Sequence, residues 1–133
     1  MTTRSGRDHP CGAGGARNRL ATAREYRELA TLKADETTGP ARNAAAGNAV
    51  LAGIAAADAI CCLRLGRRAA GPDHADAVPL LELVDRSLSR QLATLLGAKP
   101  LAHYGDSFVG SDALARSLRA MDALVAAAET MLA

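Results

Sequence analysis

PARNAAAGNAVLAGIAAADAICCLRLGRRAAGPDH, residues 40–74, decides the fold of this 133-residue chain. From Ala44 to Leu63 its only charge is Asp58, and the rest is mostly Ala, Gly and short aliphatics. Leu51, Ile54, Asp58, Cys61 and Leu65 recur at steps of three and four, which places them on one face of a helix. The other faces are also small and apolar, so the spacing predicts a helix over Pro40 to Arg67 in the middle of a packed protein. The run is long enough to span a bilayer. Ala and Gly, however, add little transfer energy, and Asp58 near the centre would cost about 3 kcal/mol. No second apolar span and no basic-then-apolar leader accompanies it, so a core helix is expected and no membrane.

Composition supports helices around it. Phe108, Tyr26 and Tyr104 are the only aromatics, so the core must be aliphatic and alanine-rich, which suits closely packed helices better than a β-sandwich. A formal net charge of +2 is too small to argue for nucleic acid by itself. The cysteines are odd in number, and Cys61 and Cys62 are helix neighbours pointing about 100° apart, unable to form an ordinary disulfide with each other. Reduced thiols packed as small hydrophobes in a cytosolic protein are expected, with Cys11 free.

Residues 1–16, Gly-rich and aperiodic, read as a disordered tail, and residues 17–133 as one helical domain. A first, polar helix follows from Arg17 to about Ala34, with Leu20, Ala23, Ala30 and the pair Leu29/Leu32 as its apolar positions. Asp35 to Gly39 break it. After the central helix, Asp73 can cap a third one, with Pro79 in its first turn and Leu81, Val84, Leu88 and Leu92 or Leu95 tracing a stripe to Leu96. Gly97 and Pro100 should end that helix. Residues 101–110 form a turn-rich connection, with His103 and Tyr104 as loop anchors and Tyr104 and Phe108 over one end of the bundle. Ser111 then caps a last helix carrying Leu114, Leu118, Met121, Val125 and Leu132. Four helices with short connections mean an antiparallel, up-down four-helix bundle.

Two places can carry chemistry. At the end of the central helix, Arg67 and Arg68 precede His74 by six and five intervening residues. A neutral imidazole with pKa near 6.5 can take a proton from an RNA 2′-hydroxyl, and a guanidinium can hold the phosphate. The same residues also fit a plain structural role, with both arginines complementing the helix dipole and His74 exposed in a loop. Arg4 and His9 repeat the spacing within the tail. Asp58 is the second place: a carboxylate on an apolar face needs a partner, expected to be an arginine from another helix or subunit, and it could orient a site residue from behind. No Glu-x-x-His pair offers a di-iron site, so no metal or cofactor is expected. Neither a phosphate-binding glycine loop nor a Ser or Cys nucleophile beside a base is present.

GIAAADAICCLRLGRRAAGPDHADAV (residues 53–78) and LATLLGAKPLAHYGDSFVGSDA (residues 92–113) together resemble the actinobacterial branch of the HEPN superfamily, over about residues 41–131. The resemblance implies a small four- or five-helix bundle, commonly a homodimer, cytoplasmic. Many such proteins are metal-independent endoribonucleases of toxin or defence systems, while others are non-catalytic modules that bind a nucleotide or a partner protein. The family motif is an arginine, four to six residues, then a histidine at this junction. It implies that Arg68, with Arg67, binds the scissile phosphate of RNA and that His74 serves as base or acid, and it adds an antitoxin protein as a partner of that class. Ala69 follows Arg68 where a polar residue is usual, whereas taking Arg67 as the motif arginine makes Arg68 its polar successor. Asp76 stands where toxins regulated by nucleotidylation carry Tyr, so a nucleotidyltransferase partner is not implied. Arginines and histidine lining a groove would favour the nuclease; intramolecular ion pairs on the arginines would favour the binding module.

Overall fold

The computed structural model describes residues 8–71 and 74–133, and for residues 103 and 104 the backbone alone. Among them the order is β1 (Asp8–Pro10), α1 (Ala13–Ala34), α2 (Gly39–Leu65), β2 (Arg67–Ala69), α3 (Ala77–Glu82), α4 (Arg86–Tyr104) and α5 (Ser111–Leu132). Helix makes up 77% of the described residues, so the described fold is all-α, with a small β1–β2 ribbon attached.

The centre is α2. The Thr38 side chain accepts from the Ala41 N–H at 3.2 Å, and Pro40 sits in the first turn, where its missing donor is not needed. Gly66 stops the helix by taking φ 73° and giving its N–H to the Cys62 carbonyl, a left-handed turn that costs glycine no Cβ clash. α2 therefore ends at Leu65, and Arg67 and Arg68 are strand residues, not the helix end expected of them. Every residue from Ala52 to Cys62 is buried. α1, α4 and α5 pack on α2, and α1 and α4 also touch α5. α2 is long and apolar enough to cross a membrane, yet 83% of its most apolar window is buried inside the chain. Its neighbour is protein, as a core helix requires.

Small residues set the packing distance. α1 buries Ala16, Leu20, Ala23 and Ala30, and an added Cβ at Gly53 would fall on the Leu95 side chain and within 3.3 Å of Leu124 Cδ1. Gly53→Ala is expected to destabilise by about 1–2 kcal/mol, because overpacking a closed core outweighs the gain in helix propensity. Gly97 is the opposite case: it is exposed in α4, with nothing within 4 Å of an added Cβ. Gly97→Ala should stabilise by about 0.5–1 kcal/mol. Urea melts of both variants check this, and shifts of the same sign would refute it.

Several boundaries depart from the sequence reading. Residues 8–16 are not a tail: they form β1, a disulfide-bonded cysteine and the first turn of α1. The third helix is two, because Asp85 accepts the Leu88 N–H at 2.9 Å and starts α4 afresh. α4 then runs through Gly97 and Pro100 to Tyr104; Pro100 removes one donor, and the Gly105 N–H still closes the end on the Leu101 carbonyl. Ser111 is the first residue of α5, whose cap position belongs to Gly110. Leu29 and Leu32 face outward, 47% and 59% exposed, since α1 turns its alanines to α2. Phe108 lies over Gly39 but stays half-exposed. Arg42 and Asn43, not the residues expected, tie down the connection before α5. Arg42 Nε donates to the Val109 carbonyl at 2.8 Å, and Asn43 Oδ1 accepts from the Val109 N–H at 2.8 Å. The cap expected of Asp73 and the side-chain roles of His103 and Tyr104 lie outside the described residues.

Candidate functional site

The ribbon beside the end of α2 gathers the charged residues. β1 pairs antiparallel with β2, Asp8 opposite Ala69, His9 opposite Arg68 and Pro10 opposite Arg67. The Cys11 N–H donates to the Gly66 carbonyl at 3.0 Å, and Cys11 is disulfide-bonded to Cys62. The ribbon is thus stapled to the last turns of α2. The expectation of three reduced cysteines is corrected: Cys62 finds its partner 51 residues earlier in the chain rather than next door. Cys61 is the free thiol, buried, and pushed up to about 12 by burial and then by the Asp58 carboxylate. It is unreactive there.

Side chains alternate along a strand, so Arg67 and Arg68 leave the ribbon on opposite faces. Arg67 Nε donates to Asp8 Oδ2 at 3.1 Å across the ribbon's diagonal. Arg68 shares its face with His9. Among the described residues, no hydrogen bond or ion pair engages the Arg68 guanidinium. The two arginines, equivalent in the sequence, are therefore different in kind: one is held by a carboxylate and the other is not.

Asp58 is buried, 6% exposed, and bonded from outside its own helix, as expected. Arg19 of α1 donates Nε to Asp58 Oδ2 at 3.2 Å, with Nη2 at 3.0 Å from the same oxygen. β2 packs back against α2, which brings Arg68 within electrostatic reach of the carboxylate, although in sequence the two are ten residues apart. Burial raises the Asp58 pKa; Arg19 and then Arg68 pull it down, and burial wins. Between the ordinary value of 3.8 and that raised value, the folded carboxyl binds more protons than the unfolded one. Its contribution to stability therefore falls as pH rises through this window. Arg19→Ala removes the nearer compensating charge and should cost about 2–4 kcal/mol at pH near 7, while Asp58→Asn, which keeps an acceptor and loses the charge, should cost under about 1 kcal/mol. Denaturant melts should also find the Arg19→Ala deficit shrinking near pH 4. Equal costs for the two variants at neutral pH would rule this asymmetry out.

His74 stands at the far end of the same connection. Its N–H donates to the Gly71 carbonyl at 3.3 Å, and its own carbonyl accepts from the Ala77 N–H at 3.0 Å at the start of α3. Its φ is 63°, the one positive value for a non-glycine among the described residues. That conformation costs an L-residue about 1–2 kcal/mol, and such strain concentrates at functional sites. Arg68 lies in β2 and His74 three residues before α3, and residues 72 and 73 between them lie outside the described residues. His9 is the residue that sequence reasoning placed in the tail. Its one usable signal was Cys11 two positions on, a cysteine with a partner to find.

Among the described residues no group of three His, Cys, Asp or Glu side chains is placed to hold a metal ion. Set against protein-family models, curated proteins and solved structures, the chain matches none. Among the described residues the site offers a guanidinium that makes no direct ion pair but lies within electrostatic reach of Asp58, an imidazole opposite it in the ribbon, and a second imidazole with a left-handed backbone.

Proposed function

We propose that this chain is an HEPN-type up-down bundle of α1, α2, α4 and α5, with α3 as a short addition, and that it cleaves RNA without a metal ion. Arg68 holds the scissile phosphate, and His74 takes the proton from the 2′-hydroxyl as it attacks phosphorus. The P–O5′ bond breaks, the partner subunit's His74 imidazolium in the proposed homodimer gives its proton to the leaving 5′-oxygen, and a 2′,3′-cyclic phosphate remains. The observation that carries this reading is the left-handed backbone of His74, a cost retained in the connection that follows β2. Asp58 acts from behind by biasing the position of Arg68. A homodimer is part of the proposal. Because α2 is covered by its own chain from Ala52 to Cys62, the two-fold contact belongs at the junction after it. The cell compartment proposed is the cytoplasm, with an antitoxin protein as a partner.

One observation favours a second reading, a non-catalytic module that binds a nucleotide or partner protein: Arg67 is taken up by Asp8. The experiment that separates them is single-turnover cleavage of a mixed RNA pool in EDTA by the full chain, with end-group analysis of the products. Cyclic-phosphate ends that disappear in His74→Ala support the nuclease. Equal background rates for wild type and His74→Ala on every RNA would leave the binding module.

A further inference from the structure

We propose that β1 is a latched arm of this site: the Cys11–Cys62 bond holds His9 beside Arg68 as a second phosphate contact, and reducing the bond withdraws it. The inference rests on the reading of the site as one that binds RNA. His9 is exposed and directly opposite Arg68 in the ribbon register, so the two side chains share a face. Two N–H donors on one face suit a phosphate, which accepts from both at once. A ribbon of two three-residue strands has too little pairing to persist alone, so something else must hold it. The half-buried Arg67–Asp8 pair, with Arg67 43% and Asp8 13% exposed, adds a non-covalent hold that a single ion pair keeps modest. The covalent bond is the main one. Gly12 lies between Cys11 and α1, and glycine there can adopt a wider range of backbone angles than any other residue once the bond opens.

The opening step is thiol–disulfide exchange with an external dithiol. Its thiolate attacks one sulfur, the Cys11–Cys62 bond breaks, and the second thiol of the reductant closes its own disulfide. Two electrons and two protons end on Cys11 and Cys62. Cys61 takes no part, since its thiol is buried and stays protonated. In a reducing compartment a bond of this kind is switchable.

The test uses the full chain and a fluorescent 2′-O-methyl RNA oligomer, whose capped 2′-oxygens cannot attack the neighbouring phosphates. Oxidised wild type should bind about tenfold more tightly than either reduced wild type or oxidised His9→Ala, the worth of one charged hydrogen bond. Reducing His9→Ala should change nothing further, Cys11→Ser should behave as reduced wild type under both conditions, and His9→Arg should restore binding. Circular dichroism confirms that each variant is folded. Unchanged binding by His9→Ala alongside weakened binding by Arg68→Ala overturns the arm and leaves the RNA reading standing. Equal losses on reducing wild type and His9→Ala overturn it too, since the disulfide would then act through the whole fold. Failure of oxidised wild type to bind any RNA sinks the RNA reading, and the arm with it.

Discussion

Opening the Cys11–Cys62 bond is expected to lower the unfolding free energy by about 4 kcal/mol. The bond closes a loop of 51 residues, and chain-entropy arguments assign about that much to a cross-link of this span. For a domain this size the loss corresponds to roughly 10–15 °C in melting temperature. Cys11→Ser should melt at the lower temperature with or without reductant, whereas wild type should fall to that temperature only when reductant is present. The denaturant dependence should steepen as well, because an uncrosslinked unfolded chain exposes more surface. Cys61→Ala is the control. It should lose only what a small buried side chain contributes, and its reductant sensitivity should match that of wild type. A reductant-insensitive wild type would show that Cys11 and Cys62 are not joined in solution.

The same bond explains why one part of the fold was illegible in the sequence. Residues 8–16 look like a tail because glycine and the absence of periodicity are local properties. Their order comes from a partner at the far end of α2. Where information is local and repeated, the reading holds: the spacing of Leu51, Ile54, Asp58 and Cys61 placed the central helix, and the isolation of Asp58 on it demanded an external donor, which Arg19 supplies. Periodicity is blind to a break that preserves it. Leu81, Val84 and Leu88 keep their three- and four-residue steps across the end of α3, so only the Asp85 side chain, by capturing the Leu88 N–H, reveals that a new helix begins. Pro100 misleads in the opposite sense, because a missing donor weakens one turn without forbidding the next.

The site was half legible for a related reason. Residue types and spacing marked Arg67, Arg68 and His74, but spacing cannot say which arginine is available. That depends on strand alternation in a ribbon whose other half is eight residues from the start of the chain, and on a single carboxylate, Asp8, that reaches diagonally to Arg67. The left-handed glycine at position 66 is the physical hinge of this outcome. It converts a continuing helix, on which both arginines would lie about 100° apart and far from Asp58, into a returning strand that sets Arg68 near Asp58 and Arg67 away from it.

Variants at the three residues should therefore divide sharply in RNA cleavage. Loss of the base in His74→Ala should slow the chemical step by about 10²–10⁴-fold, and loss of the phosphate donor in Arg68→Ala by about 10²–10³-fold. Arg67→Ala should stay within about threefold of wild type, because Asp8 already engages that side chain. Stability supplies an independent axis. Glycine takes the backbone conformation of residue 74 without a Cβ penalty, so His74→Gly should be more stable than His74→Ala by about 1 kcal/mol while being equally inactive. That difference between two inactive variants would locate the backbone strain at residue 74. If Arg67→Ala is the silent one and Arg68→Ala the inactive one, the five-residue spacing to His74 is the working register. The reverse result would mean that Arg67 leaves Asp8 when RNA binds and that the six-residue spacing operates. A His74→Gly protein that cleaves as fast as wild type would separate the strained turn from catalysis and remove the observation on which the nuclease assignment stands.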